Sequence, residues 1–260
     1  MNDLKVTILQ TELHWENIDE NLKMFSSKLD AIKDVGDLIV LPEMFTTGFT
    51  MNPEKHAESM NGKAVMWMKE QAKKNNCVIT GSFACVEDGN YYNRLVWMKA
   101  DGNYSVYDKR HLFTMVSEHE HYTAGTKKII EELNGWKFCP LICYDLRFPV
   151  WSRNTKHTQY DVLIYVANWP ERRAHPWKAL LLARAIENQS YVIGVNRVGK
   201  DGNEISHSGD SAIIDFKGEI KSKISAHEIG AETINLSYQE LLEFRKQFPV
   251  LNDADNFSIV

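Results

Sequence analysis

The chain is 260 residues long, 43% hydrophobic and 25% charged, with a net charge of -5 at pH 7. This composition is ordinary for a soluble globular protein, long enough to bury a full core as one large α/β domain or two smaller ones. The acidic balance without any basic run argues against nucleic acid as a partner, and no apolar stretch approaches the roughly 18 residues that span a membrane.

The N-terminus, MNDLKVTILQ, lacks the charged-then-apolar layout of a signal peptide. Residues 4–10 read as a strand, with Val6 and Ile8 alternating with more polar neighbours. Asn17 and Glu20 suit a capping box for a helix whose Leu22, Phe25, Leu29 and Ile32 share a face, and Gly36 ends it. Asp37–Leu41 is a short apolar strand of the kind covered on both faces. It runs into Pro42 and Glu43, and Thr46, Thr47 and Gly48 then form a loop suited to wall a site.

Residues 62–75 have the period of an amphipathic helix, with Val65, Met68 and Ala72 aligned. Cys77–Val86 and Tyr91–Met98 read as a hairpin across Asp88-Gly89-Asn90. A turn at Asp101-Gly102-Asn103 leads to a strand at Tyr104–Tyr107, followed closely by Lys109. Residues 114–128 read as loop. Their Glu118, His119, Glu120 and His121 invite a metal reading, with His111 nearby. No HExxH or paired CxxC spacing occurs, and in an extended segment the two histidines would point oppositely, so no metal is expected.

The next apolar run, Phe138 to Ile142, stops at Cys143, and Asp145 and Arg147 come at once after it. We read this as a buried strand ending in a sharp turn into a helix. A thiol there lies at a strand's carboxyl end, where α/β sheets hold their active sites. It also lies near a helix N-terminus, which favours the thiolate. Further strands are expected at Asp161–Ala167 and Tyr191–Asn196, around a helix at 176–189 with Trp177, Leu180, Leu181 and Ala185 inward. The remainder to about residue 224 reads as sheet, with hairpin turns at 200–203 and 217–218. Ser237 and Glu240 suit the start of a last helix. No linker, low-complexity segment or tandem repeat divides the chain, so residues 1–260 read as one domain with an irregular arm at 249–260. Strands alternating with helices, plus hairpins, point to mixed sheets with helices outside.

Taken singly, the polar residues in this pattern have bland explanations. Most free cysteines are inert core thiols, and Cys77, Cys85 and Cys139 lie in strand-like runs that fit that role. Four cysteines without framework spacing also suggest reduced thiols, as in a cytoplasm. Position alone makes Glu43 a loop carboxylate and Lys109 a solvated ammonium. Together, Glu43, Lys109 and Cys143 supply base, cation and nucleophile for attack on an amide carbon.

The segments that carry these residues are LPEMF, YDKRHLF and LICYDLRFP, and with VWSRN, YVANWP, ARAIENQ, NRVGKDGN and SGDSAII they cover nearly the whole chain. On these motifs the chain resembles the nitrilase superfamily of carbon–nitrogen hydrolases, whose catalytic set is Glu–Lys–Cys. The resemblance implies a four-layer αββα sandwich, a tendency to form homodimers, and catalysis by Glu43, Lys109 and Cys143 without metal or cofactor. It also implies a second glutamate seven residues before a glycine, which selects Glu118 ahead of Gly125 over Glu120. Glu118 would hold Lys109 and the attacking water, and the Tyr144 backbone N–H would share the oxyanion with Lys109. Asp145 and Arg147 would brace the turn.

Tyr144-Asp145 after the cysteine, with CYDLRFPVWSRN and YVANWP, looks like the bacterial ω-amidases. The implied substrates are small dicarboxylic acid monoamides such as 2-oxoglutaramate and 2-oxosuccinamate, hydrolysed through a Cys143 thioester. Arg173 is the expected partner of the distal carboxylate, and Phe45, Phe113 and Trp169 the expected apolar wall. The alternatives are a carbamoyl-amino-acid hydrolase or aliphatic amidase of the same superfamily, or a non-catalytic interaction protein on the same fold.

Overall fold

In the computed structural model, which describes residues 2–155, 158–255 and 257–259, the apolar runs become strands of two stacked sheets. The first half of the chain supplies β1 (Leu4–Gln10), α1 (Ile18–Asp30), β2 (Leu38–Val40), α2 (Pro53–His56) and α3 (Lys63–Asn75). The hairpin of β3 (Val78–Glu87) and β4 (Asn90–Met98) comes next, then β5 (Tyr104–Asp108). Asn17 caps α1 as expected, its side chain accepting from the Glu20 N–H, but the helix ends at Asp30, before Ile32. The β3–β4 connection is a two-residue Asp88-Gly89 turn, both residues at positive φ, as a hairpin matching strand twist requires.

After a short helix α4 (Glu118–His121) come β6 (Glu131–Leu133), β7 (Trp136–Ile142), α5 (Pro149–Ser152), β8 (Val162–Ala167), α6 (Ala174–Asn188) and β9 (Tyr191–Asn196). The hairpin of β10 (Val198–Lys200) and β11 (Ser206–Ser208), then β12 (Ala212–Ile214), β13 (Gly230–Leu236) and α7 (Tyr238–Gln247), complete the elements. The expected loop at 114–128 thus contains a 3-10 turn at Thr114–Val116 as well as α4. The expected arm at 249–260 holds a 3-10 turn at Val250–Asp253, and its Asn256 and Val260 lie outside the described residues.

One sheet has the order β13-β1-β2-β3-β4-β5 and the other β12-β9-β8-β7-β6. Each has a parallel centre, β1-β2-β3 and β7-β8-β9, with antiparallel strands outside it. The inner faces share one core, in which Val6, Ile8 and Trp97 of the first sheet join Phe138, Ile142 and Ile164 of the second. Trp97 and Phe138 meet directly, ring centres 5.1 Å apart. Phe25 of α1 and Met68 of α3 cover the outer face of the first sheet. Trp177, Leu181 and Ala185 of α6 do the same for the second, giving the αββα layers. Among the described residues no helix is long and apolar enough to cross a membrane.

Sequence reading missed two edge strands, the three-residue β6 and the longer β13. The GAETINL of β13 is half-exposed and polar at Glu232, Thr233 and Asn235, because it closes an edge and buries little. It pairs in full antiparallel register with β1, from Leu4 opposite Leu236 to Gln10 opposite Gly230.

The inter-sheet core sets the spacing of the two halves, and Trp97, one of its fully buried indoles, is a place to test it. Trp97→Ala is expected to destabilise the protein by about 3–5 kcal/mol. Trp97→Phe, which discards a buried indole N–H with no acceptor among the described residues, should cost less. Urea unfolding midpoints of the two variants check both statements.

Candidate active site

The site lies where the carboxyl ends of strands from both sheets meet. Glu43 follows β2, Lys109 follows β5, Cys143 follows β7 and Asn168 follows β8. Backbone strain aims three of the polar groups. Cys143 itself sits at φ 43°, Met44 after the glutamate at φ 43°, and Ser117 before Glu118 at φ 57°. Non-glycine residues adopt this region at a cost, and such residues cluster where a side chain must be held in one direction. Gly125 lies so close to the strand end carrying Lys109 that an added Cβ would stand 2.1 Å from the Asp108 carbonyl oxygen. Its N–H donates to the Lys109 carbonyl at 2.9 Å, which closes the loop holding Glu118.

Glu43, Lys109 and Glu118 are all 0% exposed. The Lys109 Nζ donates to Glu43 Oε1 at 2.9 Å and to both Glu118 oxygens at 3.0 Å. Asn93 of β4, which sequence reading passed over, bridges the same carboxylates. Its Nδ2 donates to Glu43 Oε1 at 2.8 Å and to Glu118 Oε1 at 3.3 Å. The reversed amide would set an oxygen against two carboxylates, so this orientation follows from the partners. The signal available in the sequence was a lone polar residue, Asn93, in a strand otherwise apolar at its inner positions.

This cluster sets the protonation of its members. Burial alone would lower the Lys109 pKa, but the Glu118 and Glu43 carboxylates outweigh it and hold the ammonium charged. Burial raises Glu118 above the usual carboxylate range, against the pull of Lys109 and with a further push from Glu43. Burial and then the Glu43 charge push the Cys143 thiol well above its ordinary value, Lys109 opposing them. That reverses the expected helix-terminus effect. Cys143 opens only a five-residue 3-10 turn, Cys143–Arg147, succeeded by the four residues of α5, too little aligned backbone to offset burial. The thiol rests protonated beside a carboxylate able to take its proton.

Asp145 braces the turn, as expected. Its buried carboxylate accepts from the Ile142 N–H at 3.0 Å, the Tyr107 hydroxyl at 2.7 Å and the His111 N–H at 3.0 Å. It thereby ties the Cys143 turn to both flanks of Lys109. Arg147 does not share in this bracing. It faces the cavity, with its guanidinium 5.0 Å from the Trp169 ring centre.

Cys143 and Lys109 open on a cavity whose lining includes Tyr144, Phe113, Trp169 and Arg173, four residues expected there. Tyr144 is the second residue of the 3-10 turn, where a backbone N–H has no carbonyl within the turn to bond. The Arg173 guanidinium stands 5.1 Å from the Phe113 ring centre, and burial, then Arg172 and Arg147, lower its pKa. Phe45 is a correction. Its N–H donates to the Ser82 carbonyl of β3, and its ring is buried against Phe25 and Trp67, on the far side of the first sheet. The turn at Met44 instead carries Phe49 to the cavity, its ring centre 4.9 Å from the Lys109 Nζ. Ile205 and His207, from the β10–β11 hairpin, also line the cavity. Burial and the Arg197 charge push the His207 imidazole down to about 4, so it is neutral at pH 7. Among the described residues no group of three or more His, Cys, Asp or Glu side chains is arranged to hold a metal.

Asn93 offers a test of the carboxylate pair. Asn93→Leu removes one of the two donors that Glu43 and Glu118 share, together with an Oδ1 that finds no partner among the described residues, so the protein should still fold but with a lowered melting temperature. Turnover is expected to fall about 10–100-fold, the worth of a hydrogen bond to a charged group. The acidic limb of the pH–rate profile should move to higher pH, because Glu118 loses a donor that favours its charged form. Rates measured between pH 5 and pH 9 read both effects.

The sequence pattern of the carbon–nitrogen hydrolase family matches residues 5–245. The chain is 47% identical over 260 residues, 100% of both chains, to the omega-amidase YafV of Escherichia coli strain B / BL21-DE3. It is 34% identical over 251 residues to the 2-oxoglutaramate amidase of Bacillus subtilis strain 168, covering 95% of this chain and 96% of that one. Its structure superposes with a TM-score of 0.97, at 40% identity and 100% coverage of both chains, on XC1258 from Xanthomonas campestris. XC1258 is a CN-hydrolase superfamily protein with an arsenic adduct in its active site. Matched in sequence from β1 to α7 and in fold over its whole length, the chain belongs to the carbon–nitrogen hydrolase family, within the nitrilase superfamily.

Proposed function

We propose that the protein is an ω-amidase, which releases ammonia from the terminal amide of small dicarboxylic acid monoamides such as 2-oxoglutaramate and 2-oxosuccinamate. The observation that carries this reading is the buried cluster of Glu43, Lys109 and Glu118 around a thiol that opens on an arginine-lined cavity. The full-length likeness to an omega-amidase supports the choice of substrate class.

The chemistry starts from the resting protonation. Burial and the Glu43 charge hold the Cys143 thiol well above its ordinary pKa, so it rests protonated and attack needs a base in contact with it. Glu43 takes the thiol proton as sulfur bonds to the amide carbon. Lys109 and the Tyr144 N–H hold the oxyanion, in a site already organised for negative charge. Glu43 gives the proton to the nitrogen, the C–N bond breaks, ammonia leaves, and a thioester remains. Water, placed by Glu118, loses a proton to Glu43 as it attacks the thioester. The S–C bond breaks and the proton returns to sulfur.

The distal carboxylate of such a substrate needs a cation, and Arg173 supplies it from its seat on Phe113. Arg147 and Arg172 line the same wall and add positive potential. We further propose a cytoplasmic homodimer. The thiols of all four cysteines are free, which suits a reducing compartment. Leu182 and Ile186, on one face of α6, are 36% and 51% exposed, and the Gly218 turn before the 63% exposed Ile220 packs beside them. Such an apolar patch fits a second copy of the chain.

Ammonia release from 2-oxoglutaramate, with glutamine and asparagine as controls, tests the assignment. Cys143→Ala should fold normally and show no turnover, whereas activity near wild type would end the thioester mechanism. Glu43→Gln should lose about 10²–10⁴-fold in kcat, the usual worth of acid–base help. Arg173→Ala is expected to raise KM about tenfold or more for acidic amides and leave neutral ones little changed. Equal effects on both classes would reject the carboxylate clamp.

A further inference from the structure

Asn168 directly follows β8 and touches the candidate base twice. Its backbone N–H donates to Glu43 Oε2 at 2.8 Å, and its side-chain Nδ2 donates to the Glu43 carbonyl oxygen. A carbonyl only accepts, so the second contact fixes which end of the Asn168 amide is nitrogen. Its Oδ1 is therefore turned away from the Glu43 carbonyl. That oxygen is buried, and among the described residues no donor reaches it. Asn168 as a whole is 4% exposed and lines the cavity with Cys143 and Lys109. A buried acceptor without a donor costs stability, and native structures keep such groups where something else supplies the partner.

We infer that Asn168 Oδ1 accepts a hydrogen bond from the N–H of the substrate's scissile amide, and so is a catalytic residue that selects amides over esters. The inference rests on the ω-amidase reading. The leaving nitrogen must approach Glu43 to be protonated, and Asn168 is anchored to that same residue. A bond from one N–H to Oδ1 stops rotation about the C–N bond. When the tetrahedral adduct forms and nitrogen becomes pyramidal, its lone pair then faces the proton held by Glu43. That proton, taken earlier from the Cys143 thiol, moves to nitrogen, the C–N bond electrons leave with it, and ammonia departs. Asn168 gains and loses no proton. An ester presents an oxygen with no hydrogen, whose lone pairs repel Oδ1.

The test compares succinamate with monomethyl succinate, which differ only in the leaving group. Wild-type protein, Asn168→Leu and the smaller, polar Asn168→Ser are assayed for hydrolysis. Binding is then measured by calorimetry with each substitution in a Cys143→Ala background, where no chemistry intervenes. Loss of the N–H contact should weaken succinamate binding about tenfold and change ester binding less than about twofold. The ratio of amide to ester kcat/KM should fall in step. Equal weakening of both ligands would overturn the proposal, since a residue that merely supports Glu43 cannot distinguish them in the binding step. If Cys143→Ala bound neither ligand and wild type hydrolysed neither, the ω-amidase reading itself would fall, and this inference with it.

Discussion

Three charges without solvent exposure can share one site only if each neutralises another. Lys109 sits between Glu43 and Glu118, and none of the three side chains has exposed surface. Removing a lysine or carboxylate from water costs several kcal/mol per ion, and attraction at close range repays it only with good geometry and every remaining bond satisfied. The protein meets that demand with Asn93, the Phe113 N–H and the Asn168 N–H, all donated to the two carboxylates. The same burial that makes the cluster costly keeps the neighbouring thiol protonated. The protonation of the thiol and the charge of the carboxylate beside it are thus interdependent.

The two-sheet architecture serves this cluster directly. Glu43, Asn93 and Lys109 come from the first sheet, and Cys143 and Asn168 from the second. The hydrogen bonds from Asn168 to Glu43 cross between them at the carboxyl ends. Asp145 adds a second tie, since it bonds both the start of the Cys143 turn and the two sides of the segment that carries Lys109. A shift of one sheet against the other would therefore separate Glu43 from Cys143. The aromatic contact of Trp97 with Phe138 resists such a shift from within the core.

Outside the cluster, the cavity reverses the sign of the electrostatics. Arg147, Arg172 and Arg173 crowd one wall, and burial and their mutual repulsion lower the pKa of Arg173. Aromatic faces hold two of them, Trp169 under Arg147 and Phe113 under Arg173. An anion entering the cavity relieves that repulsion. His207 adds no charge at pH 7, so the positive charge near the cavity's Asp201 comes from the arginines rather than from the imidazole.

Much of this was legible in the sequence because it is local. Apolar runs of strand length, the helix period of 62–75 and the Asp-Gly turn at 88–89 need only near neighbours to be read, and each forms an element close to its expected bounds. The abrupt end of the apolar run at Cys143 marked a strand end for the same reason. Other features were decided by contacts between distant residues. Strand β13 exists because β1 offers an edge across more than two hundred residues of chain, and its own half-polar sequence is weak. Phe45 and Phe49 are both apolar residues of one loop, and only the Met44 turn and the bond to Ser82 send one into the core and the other to the cavity. Asn93 and Asn168 gain their meaning from carboxylates 50 and 125 residues away. The thiol's protonation depends on burial and the Glu43 charge, which no spacing along the chain reveals. What the sequence by itself determined was the set of elements and the chemical groups at their ends, since periodicity and turn chemistry are short-range. Only the tertiary structure decided which of those groups meet and what charge each carries, because Coulombic and desolvation energies depend on distance in space.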